Sequence, residues 1–599
     1  MNSSRLFCAK SPPLLPWGLN FQKMPLSINF RRLLYLCAAI ILLPSLTQAQ
    51  SSSSNDQVIQ VLKSELGREQ ASLAKQPTPP YYMSYNVGDE QRVSITSSYG
   101  AIIKSDSSRR RMLLVDIRVG DYSLDNTHQI RASNDMFARG GAKMIPYEDD
   151  PEALRLALWR ETDQSYKAAT ERLEQVRTNK TVKVAEEDTS GDFSHADAAN
   201  HYYEAPVEMG NYFPNRAAWE ARLKKYSALF AGQTNIFEAK ATLEASIVRK
   251  YFVSTEGGEI ASNQLYVRVM IMATAKADDG MELPLYKSYF AYKPEDLPSD
   301  DTILNDVHQM IATLEKMRNA PIVDPYTGPA ILSGGASGVF FHEIFGHRVE
   351  GHRQKNEAEG QTFKKKIGQQ ILPSFIDVYF DPHQKKYGKD DLLGYYMYDD
   401  EGVEGQRVNV VENGVLKGFL MSRSPIEGFA HSNGHARAQP GKLPVARQSN
   451  LVVVAKTTVP VDSLRDLLIA ECKRQNKPYG LWFKQVEGGF TLTGRTIPNA
   501  FNVLPILVYR VYADGRPDEL VRGVDLIGTP LATFERIIAA GNDGETFNGI
   551  CGAESGWVPV SASSPSLLVR EIEVQKKQKS QERLPILPSP DAIDGKASR

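Results

Sequence analysis

The stretch His342-Glu343-Ile344-Phe345-Gly346-His347-Arg348-Val349-Glu350-Gly351-His352 holds three of the ten histidines of this 599-residue chain. A glutamate directly follows the first histidine, and neutral imidazole is a common zinc ligand. The short zinc-binding motif H-E-x-x-H places its two histidines at i and i+4 on one face of a helix. Here the histidines stand one residue further apart, in the spacing H-E-x-x-x-H.

An apolar stripe predicts a helix through this stretch. Phe341, Ile344, Phe345 and Val349 fall at i, i+3, i+4 and i+8, and Ser337 is a candidate for the residue that caps the helix. In a regular helix, positions i and i+5 diverge by roughly 140° around the axis. A π-bulge would bring the two imidazoles back to one side, so we predict a bulge between them.

A metal site here needs a third ligand, and the stretch itself offers two candidates. His352 lies another five residues along, and Glu350 carries a carboxylate. The alternative is that these histidines are ordinary surface or core residues of an amphipathic helix. The spacing alone leaves both interpretations open.

The composition is typical of a soluble globular protein, with 42% hydrophobic and 24% charged residues. The formal net charge is -1, which gives no electrostatic reason to expect a nucleic-acid partner. The 43 glycines, 34 prolines and 26 tyrosines favour an α+β or β-rich body.

The N-terminus reads as a targeting segment. Arg31-Arg32 precede an apolar run at 33–46, and Thr47-Gln48-Ala49 follows it. This order of basic, apolar and small residues predicts a signal peptide at 1–49, cleaved after Ala49, and an exported protein, periplasmic or secreted. Met24 is an alternative start. The alternative of a membrane anchor is disfavoured because the run of about 14 residues is shorter than the roughly 20 that span a bilayer.

The pattern of secondary structure changes near residue 320. Before it, helical periodicity alternates with strand-like runs, whereas after it short strands alternate with turn signals such as Asn413-Gly414. We therefore predict an α+β fold, with an α/β domain at 57–320, a mainly antiparallel β domain at 321–574 that carries the metal-binding helix, and a disordered tail at 575–599. The predicted helices are 57–73, 153–176, 215–230, 300–319 and 461–474.

Further motifs follow the histidine stretch, which has the form H-E-x-x-G-H-x-x-E-G. They are Asp399-Asp400-Glu401-Gly402, the hairpin ENGVLKG at 412–418, the segment LPVARQSN at 443–450, and Ile550-Cys551-Gly552. With these motifs in this order, the sequence resembles the TldD/PmbA family of metallopeptidases. The resemblance is strong over 320–570 and weak over 60–320.

The resemblance implies a specific site. Zinc would be bound by His342, His347 and Cys551, and Glu343 would be the catalytic general base that activates a zinc-bound water. Because all three ligand positions and the base are present, the chain resembles the catalytic TldD-like type. His352 stands where the family often has an acidic residue, so we keep it out of the ligand set.

Cys472 and Cys551 are the cysteines that follow the predicted signal peptide. In an exported protein the alternative for Cys551 is a disulfide with Cys472. Cys472 falls in the predicted helix 461–474 beside Ala470, so we expect it to be ordinary core. Gly549 and Gly552 are expected to let Cys551 approach the histidine helix closely.

The predicted function is zinc-dependent hydrolysis of peptide bonds in flexible or unfolded peptides. The alternative is a non-catalytic, peptide-binding partner subunit of a TldD/PmbA-type complex. The resemblance implies a peptide or unfolded-protein substrate, and a homodimer or a heterodimer with a family member. Gly334-Gly335 and Gly488-Gly489 are candidates for close approach of an extended peptide, with simple turns as the alternative. No nucleic-acid partner and no stable membrane span are expected.

Two features depart from the family. The family is largely cytoplasmic, whereas this chain carries a predicted export signal. The stretch 135–215 is longer than usual.

Overall fold

The structure is a computed structural model that describes residues 53–130, 143–181, 188–495, 501–528 and 533–577, together with residues 587 and 590. The predicted signal peptide at 1–49 and nearly all of the predicted tail at 575–599 lie outside these residues. The described residues all belong to one compact unit, Ser52–Arg599. The domain boundary near residue 320 stays a prediction.

The helices follow the periodicity of the sequence. Those at Gln57–Leu73, Asp300–Asn319 and Val461–Arg474 begin and end where predicted. The first two are capped as their sequences indicate, because Asp56 and Ser299 accept hydrogen bonds from backbone N–H groups three residues on. The α-helices of the described residues are α1 (Gln57–Leu73), α2 (Pro151–Thr181), α3 (Met209–Tyr212), α4 (Arg216–Ala228), α5 (Asp300–Asn319), α6 (Gly334–Ile344), α7 (His352–Lys355) and α8 (Val461–Arg474).

The N-terminal half is built on a seven-stranded sheet in the order β3-β2-β1-β5-β6-β4, with β7 also paired to β6. Its pairings are antiparallel except that of β4 with β6. The strands are β1 (Pro80–Ser98), β2 (Ala101–Val119), β3 (Lys143–Ile145), β4 (His201–Tyr203), β5 (Ile236–Ser254), β6 (Glu259–Lys276) and β7 (Glu282–Ala291).

The strand-like runs at 82–87, 93–97 and 113–119 predict short, separate strands, whereas β1 and β2 run unbroken for 19 residues each. Charged residues interrupt the apolar alternation in both strands and hide their continuity. In the structure those charges pair across the strands, with Arg109 2.7 Å from Asp89 and Arg110 2.6 Å from Glu90. Cross-strand ion pairs of this kind support a sheet but leave no periodic apolar signal.

Helices cover one face of this sheet, and the C-terminal half meets the other. Val87 and Ile95 of β1 lie in two clusters on the same face, one formed with α1 and α2 and the other with α4 and α5. On the opposite face, a Cβ placed on Gly88 would stand 2.6 Å from the Cβ of Pro440. Lys250 of β5 donates to Asp400 on that face at 2.7 Å.

The C-terminal half contains two larger sheets. In one, β17, β8, β24, β20 and β18 pair in sequence, and β18 pairs back to β17, so the five strands form a closed ring. The other is six-stranded in the order β13-β12-β9-β16-β23-β22. Pairings are antiparallel except β16 with β23 and β17 with β8. The fold is therefore α+β with mostly antiparallel sheets, as predicted.

The strands of this half are β8 (Tyr326–Leu332), β9 (Ile376–Phe380), β10 (Lys386–Tyr387), β11 (Asp390–Asp391), β12 (Val408–Glu412), β13 (Val415–Leu416), β14 (Ala436–Arg437), β15 (Val445–Ala446), β16 (Asn450–Ala455), β17 (Tyr479–Thr491), β18 (Phe501–Tyr512), β19 (Glu519–Val521), β20 (Val524–Gly528), β21 (Ile537–Ala540), β22 (Glu545–Ala553), β23 (Gly556–Ser564) and β24 (Leu567–Lys576). The predicted turn Asn413-Gly414 joins β12 to β13, with φ of +52° and +75°.

Helix α6 lies between the closed ring and the six-stranded sheet, in contact with β17, β22 and β23. A Cβ on Gly338 would stand 2.6 Å from the carbonyl oxygen of Ala562, and one on Gly334 would stand 2.5 Å from that of Ser564. These glycines let the helix lie directly against β23. The packing brings the end of α6 beside β22, the strand that carries Cys551.

In the part of the chain that the structure describes, no helix has the length and apolar character that crossing a membrane requires.

Candidate metal centre

The histidine stretch contains a helix end, so the predicted π-bulge is wrong. Helix α6 ends at Ile344, and a 3-10 turn follows at Gly346–Val349. Arg348 stabilises this end, because its guanidinium donates to the carbonyl oxygens of Glu343 at 2.9 Å and Ile344 at 3.1 Å. The helix also begins earlier than expected.

Ser333, and not Ser337, precedes the first residue of α6. Ser337 lies inside the helix, where its hydroxyl is 2.7 Å from that of Ser564. The capping prediction for Ser337 is therefore wrong.

The change from α-helix to 3-10 turn brings the two imidazoles together. The ring centroids of His342 and His347 are 5.0 Å apart, with the rings inclined at 74°. The Sγ atom of Cys551 lies 3.4 Å from Nε2 of His347. One donor atom from each of these three residues lies within 4.8 Å of the others. The structure thus brings together the three residues that the sequence proposed as ligands.

Cys472 and Cys551 are both free in the structure, which excludes a disulfide between them. Cys472 is fully buried with Leu464, Leu468 and Trp482, so it is core as predicted. Gly549 and Gly552 do not make room for the helix. A Cβ at Gly552 would meet the Trp557 ring at 2.6 Å, and one at Gly549 would meet Phe547 at 2.8 Å, so both make space within their own hairpin.

The donor atoms suit a metal ion. Nδ1 of His342 is buried and has no hydrogen-bond partner in the part of the chain that the structure describes. Such an orphaned polar atom is costly unless it has a ligand. Burial tends to raise the pKa of Cys551, but the adjacent charges of His347 and His342 hold that pKa well below its usual range. The lowered pKa favours the thiolate, the form that binds metals.

Glu350 lies on the far side of His347 from the sulfur. Its carboxylate is 3.3 Å from Nδ1 of His347 and accepts a hydrogen bond from Arg353 at 2.8 Å. Burial tends to raise its pKa, but the charges of His347 and Arg353 lower it to about 2. An ionised carboxylate at Nδ1 fixes the imidazole with Nε2 toward Cys551. Glu350 therefore orients His347 and is not part of the three-residue group.

Glu343 is buried, with 7% of its surface exposed, and it packs against β17. A Cβ on Gly489 would stand 2.7 Å from Cγ of Glu343, whereas one on Gly488 would meet nothing within 4 Å. Gly489 therefore leaves the space that the Glu343 side chain occupies, and Gly488 has no such role.

Gly346 leaves space for the side chain of Gln448, as Gly489 does for Glu343. The side-chain amide of Gln448 donates to the carbonyl oxygen of His342 at 3.2 Å. A Cβ on Gly346 would stand 1.9 Å from Oε1 of that amide. Sequence reasoning did not single out this contact, although both residues fall within the quoted motifs.

His352 lies outside the three-residue group. It hydrogen-bonds to Glu554, and Arg353 binds the same carboxylate at 2.9 Å. Arg447, which sequence reasoning also missed, donates to Sγ of Cys551 at 3.2 Å. The signal that could have found Arg447 is its place in the LPVARQSN motif.

Comparison with known proteins gives consistent results. Residues 325–576 match the PmbA/TldA metallopeptidase C-terminal domain. A metalloprotease of Archaeoglobus fulgidus is 28% identical over 271 residues, which are 45% of this chain and 58% of that protein. A zinc metalloprotease TldD homolog of Saccharolobus solfataricus is 27% identical over 277 residues, which are 45% of this chain and 57% of that protein. The chain thus spans little more than half the length of these curated relatives.

A solved structure shares the fold over a longer stretch. TldE from Thermococcus kodakarensis superposes with a TM-score of 0.56 at 12% identity, covering 86% of this chain and all of that one. At this identity the likeness concerns the fold alone. Residues 325–576 thus match the TldD/PmbA family, and the fold of the chain is shared with TldE over most of its length.

Proposed function

We propose that this chain is a zinc-dependent metallopeptidase of the catalytic TldD-like type, with His342, His347 and Cys551 as ligands and Glu343 as general base. One observation carries the proposal: donor atoms of two imidazoles and a cysteine sulfur lie within 4.8 Å of one another at a buried position, and a glutamate directly follows the first histidine in sequence. The relatives named as metalloproteases support the same conclusion.

The donor set favours zinc. Imidazole and thiolate suit zinc, whereas Mg²⁺ and Ca²⁺ prefer oxygen ligands. Three protein ligands leave one position open, which distinguishes catalytic zinc sites from structural ones. When bound, zinc would supply a Lewis acid that acidifies water and polarises a peptide carbonyl.

Glu343 would act as the proton carrier of the reaction. Its carboxylate can take a proton from the attacking water and return it to the leaving amine. The space left by Gly489 sets the position of the side chain against β17. Burial keeps the carboxylate away from bulk water.

The burial of the site supports flexible peptides as substrates. His342, Glu343 and Cys551 expose only 7–8% of their surface. Low exposure disfavours the surface of a folded protein as substrate, so we propose that the substrate is an extended segment of an unfolded chain. We further propose a homodimer or a heterodimer with a family member, and export to the periplasm or beyond, directed by residues 1–49.

A cleavage assay tests the proposal. The mature chain is incubated with an unfolded protein, and wild type is compared with Glu343→Gln for both cleavage and zinc content. We expect Glu343→Gln to retain zinc and to cleave about 10²–10⁴ times more slowly, the contribution typical of a general base. Glu471→Gln is the control, because Glu471 is equally buried but lies in α8. Zinc-loaded Glu343→Gln with full activity would refute the role of Glu343, and a zinc-loaded wild type without activity would favour the non-catalytic alternative.

A further inference from the structure

Arg447 makes an unusual set of contacts for a fully buried arginine. One Nη atom donates to the Sγ of Cys551 at 3.2 Å and to the carbonyl oxygen of the same residue at 2.9 Å. The other Nη donates to Ser555 Oγ at 2.9 Å and to the carbonyl oxygen of Gly556 at 3.2 Å. The guanidinium therefore binds both the sulfur and the turn between β22 and β23 that follows it.

The same guanidinium reaches the other side of the site. Its Nε atom lies 3.5 Å from Oε1 of Glu350, and both side chains have no exposed surface. The other carboxylate oxygen of Glu350 is 3.3 Å from Nδ1 of His347. One continuous path thus runs from the sulfur of Cys551 through Arg447 and Glu350 to the imidazole of His347.

We propose that Arg447 and Glu350 are positioning residues that act as one unit. They hold Cys551 and His347 in the relative position that binding of one metal ion requires. The inference rests on the proposed function, because it concerns the same site. The two ligands lie 204 residues apart in sequence and on different elements, so their relative position depends on a link of this kind.

The chemistry of the pair explains the choice of residue types. A guanidinium offers five donors in a planar fork and stays charged when buried, so it can bind a thiolate, two carbonyl oxygens and a carboxylate at once. A lysine ammonium has three donors and no planar fork. Arg353 donates a hydrogen bond to the second oxygen of Glu350 at 2.8 Å, so the carboxylate lies between two guanidinium groups, hydrogen-bonded to Arg353 and in an ion pair with Arg447 at 3.5 Å.

Metal binding can be measured without relying on activity. The zinc affinity of the whole chain is determined by competition with a chromophoric chelator, and the Co²⁺-substituted protein is examined for its thiolate-to-cobalt charge-transfer absorption. We expect Arg447→Met and Glu350→Gln each to weaken zinc binding about 10–100-fold, as loss of a residue supporting a metal ligand does. Arg447→Met should also shift the cobalt band, which a change in general stability would not move.

A double variant tests whether the two residues act as one unit. The combined Arg447→Met and Glu350→Gln variant should bind zinc about as weakly as the weaker single variant, and not with the product of the two losses. Arg447→Lys is the alternative should Arg447→Met fail to fold, with the same cobalt shift expected. Arg423→Met is the control, because Arg423 is equally buried but contacts Glu256 and Ser194.

The outcomes separate the two proposals. Wild-type zinc affinity and an unchanged cobalt band in the Arg447 variants would overturn this inference while leaving the zinc site in place. Losses that multiply in the double variant would overturn the claim of a single unit. A wild-type chain that binds no zinc, or binds it equally well as Cys551→Ala, would overturn the proposed function itself.

Discussion

Adding one methyl group at Gly489 should separate catalysis from metal binding. In Gly489→Ala the new Cβ would stand 2.7 Å from Cγ of Glu343 and 3.1 Å from the carbonyl oxygen of Asn502. Ordinary carbon contacts begin near 3.5 Å. The Glu343 side chain must therefore move by roughly 0.8 Å, while none of the three atoms nearest to the added Cβ belongs to a proposed ligand.

A displacement of this size matters for a general base. A misplacement of about 1 Å can cost on the order of 10² in rate, because proton transfer requires hydrogen-bond geometry. We therefore expect Gly489→Ala to cleave an unfolded protein about 10–100 times more slowly. Zinc content should stay at the wild-type level.

The neighbouring glycine provides a matched control. A Cβ on Gly488 meets nothing within 4 Å, and this residue lies in the same strand with similar exposure. Gly488→Ala should therefore retain wild-type activity. The reasoning is refuted if a folded, zinc-loaded Gly489→Ala cleaves at the wild-type rate, or if both variants lose activity equally.

Three further predictions concern the surroundings of the site. Cys472→Ala should lower the free energy of unfolding by about 1 kcal/mol without changing zinc content. A loss of zinc would show that this thiol contributes to the metal site as well as to core packing. Gly346→Ala should weaken zinc binding because its Cβ would overlap the side chain of Gln448. Adding Gln448→Ala should restore part of the lost zinc affinity. A double variant that binds zinc no better than Gly346→Ala would contradict the steric explanation. The third concerns His435, whose pKa burial lowers to about 3 from the usual 6.5. The unfolded chain gains a proton below pH 6.5 that the folded chain does not, so this contribution to stability is complete above pH 6.5 and falls as the pH drops toward 3. The loss at pH 5 is about 2 kcal/mol. Denaturant titrations of His435→Gln should show a free energy of unfolding that changes less between pH 5 and 7 than that of the wild type. An unchanged pH dependence would contradict the lowered pKa of His435.

Local signals made much of the fold predictable. Helices α1, α5 and α8 follow from apolar periodicity, and the Asn413-Gly414 turn follows from its preference for positive φ. The long strands β1 and β2 were not predicted, because their charged positions are balanced by partners on the neighbouring strand. Only the paired structure reveals that balance.

For the candidate site, too, some features were predictable from the sequence and others were not. Motif resemblance identified His342, His347 and Cys551, and the structure brings them together. The end of α6 was missed because it depends on Arg348 donating to the carbonyl oxygens of Glu343 and Ile344, a contact that spacing does not encode. The roles of Arg447 and Glu350 depend on contacts between segments about 100 residues or more apart, which periodicity cannot reveal.

X-ray absorption at the zinc edge of the purified chain tests the central claim most directly. A site made by His342, His347 and Cys551 predicts one zinc per chain with a single sulfur scatterer at about 2.3 Å and nitrogen scatterers at about 2.0–2.1 Å. The sulfur signal should vanish in Cys551→Ala. Zinc surrounded only by nitrogen and oxygen in the wild type, or a sulfur signal that persists in Cys551→Ala, would contradict the account.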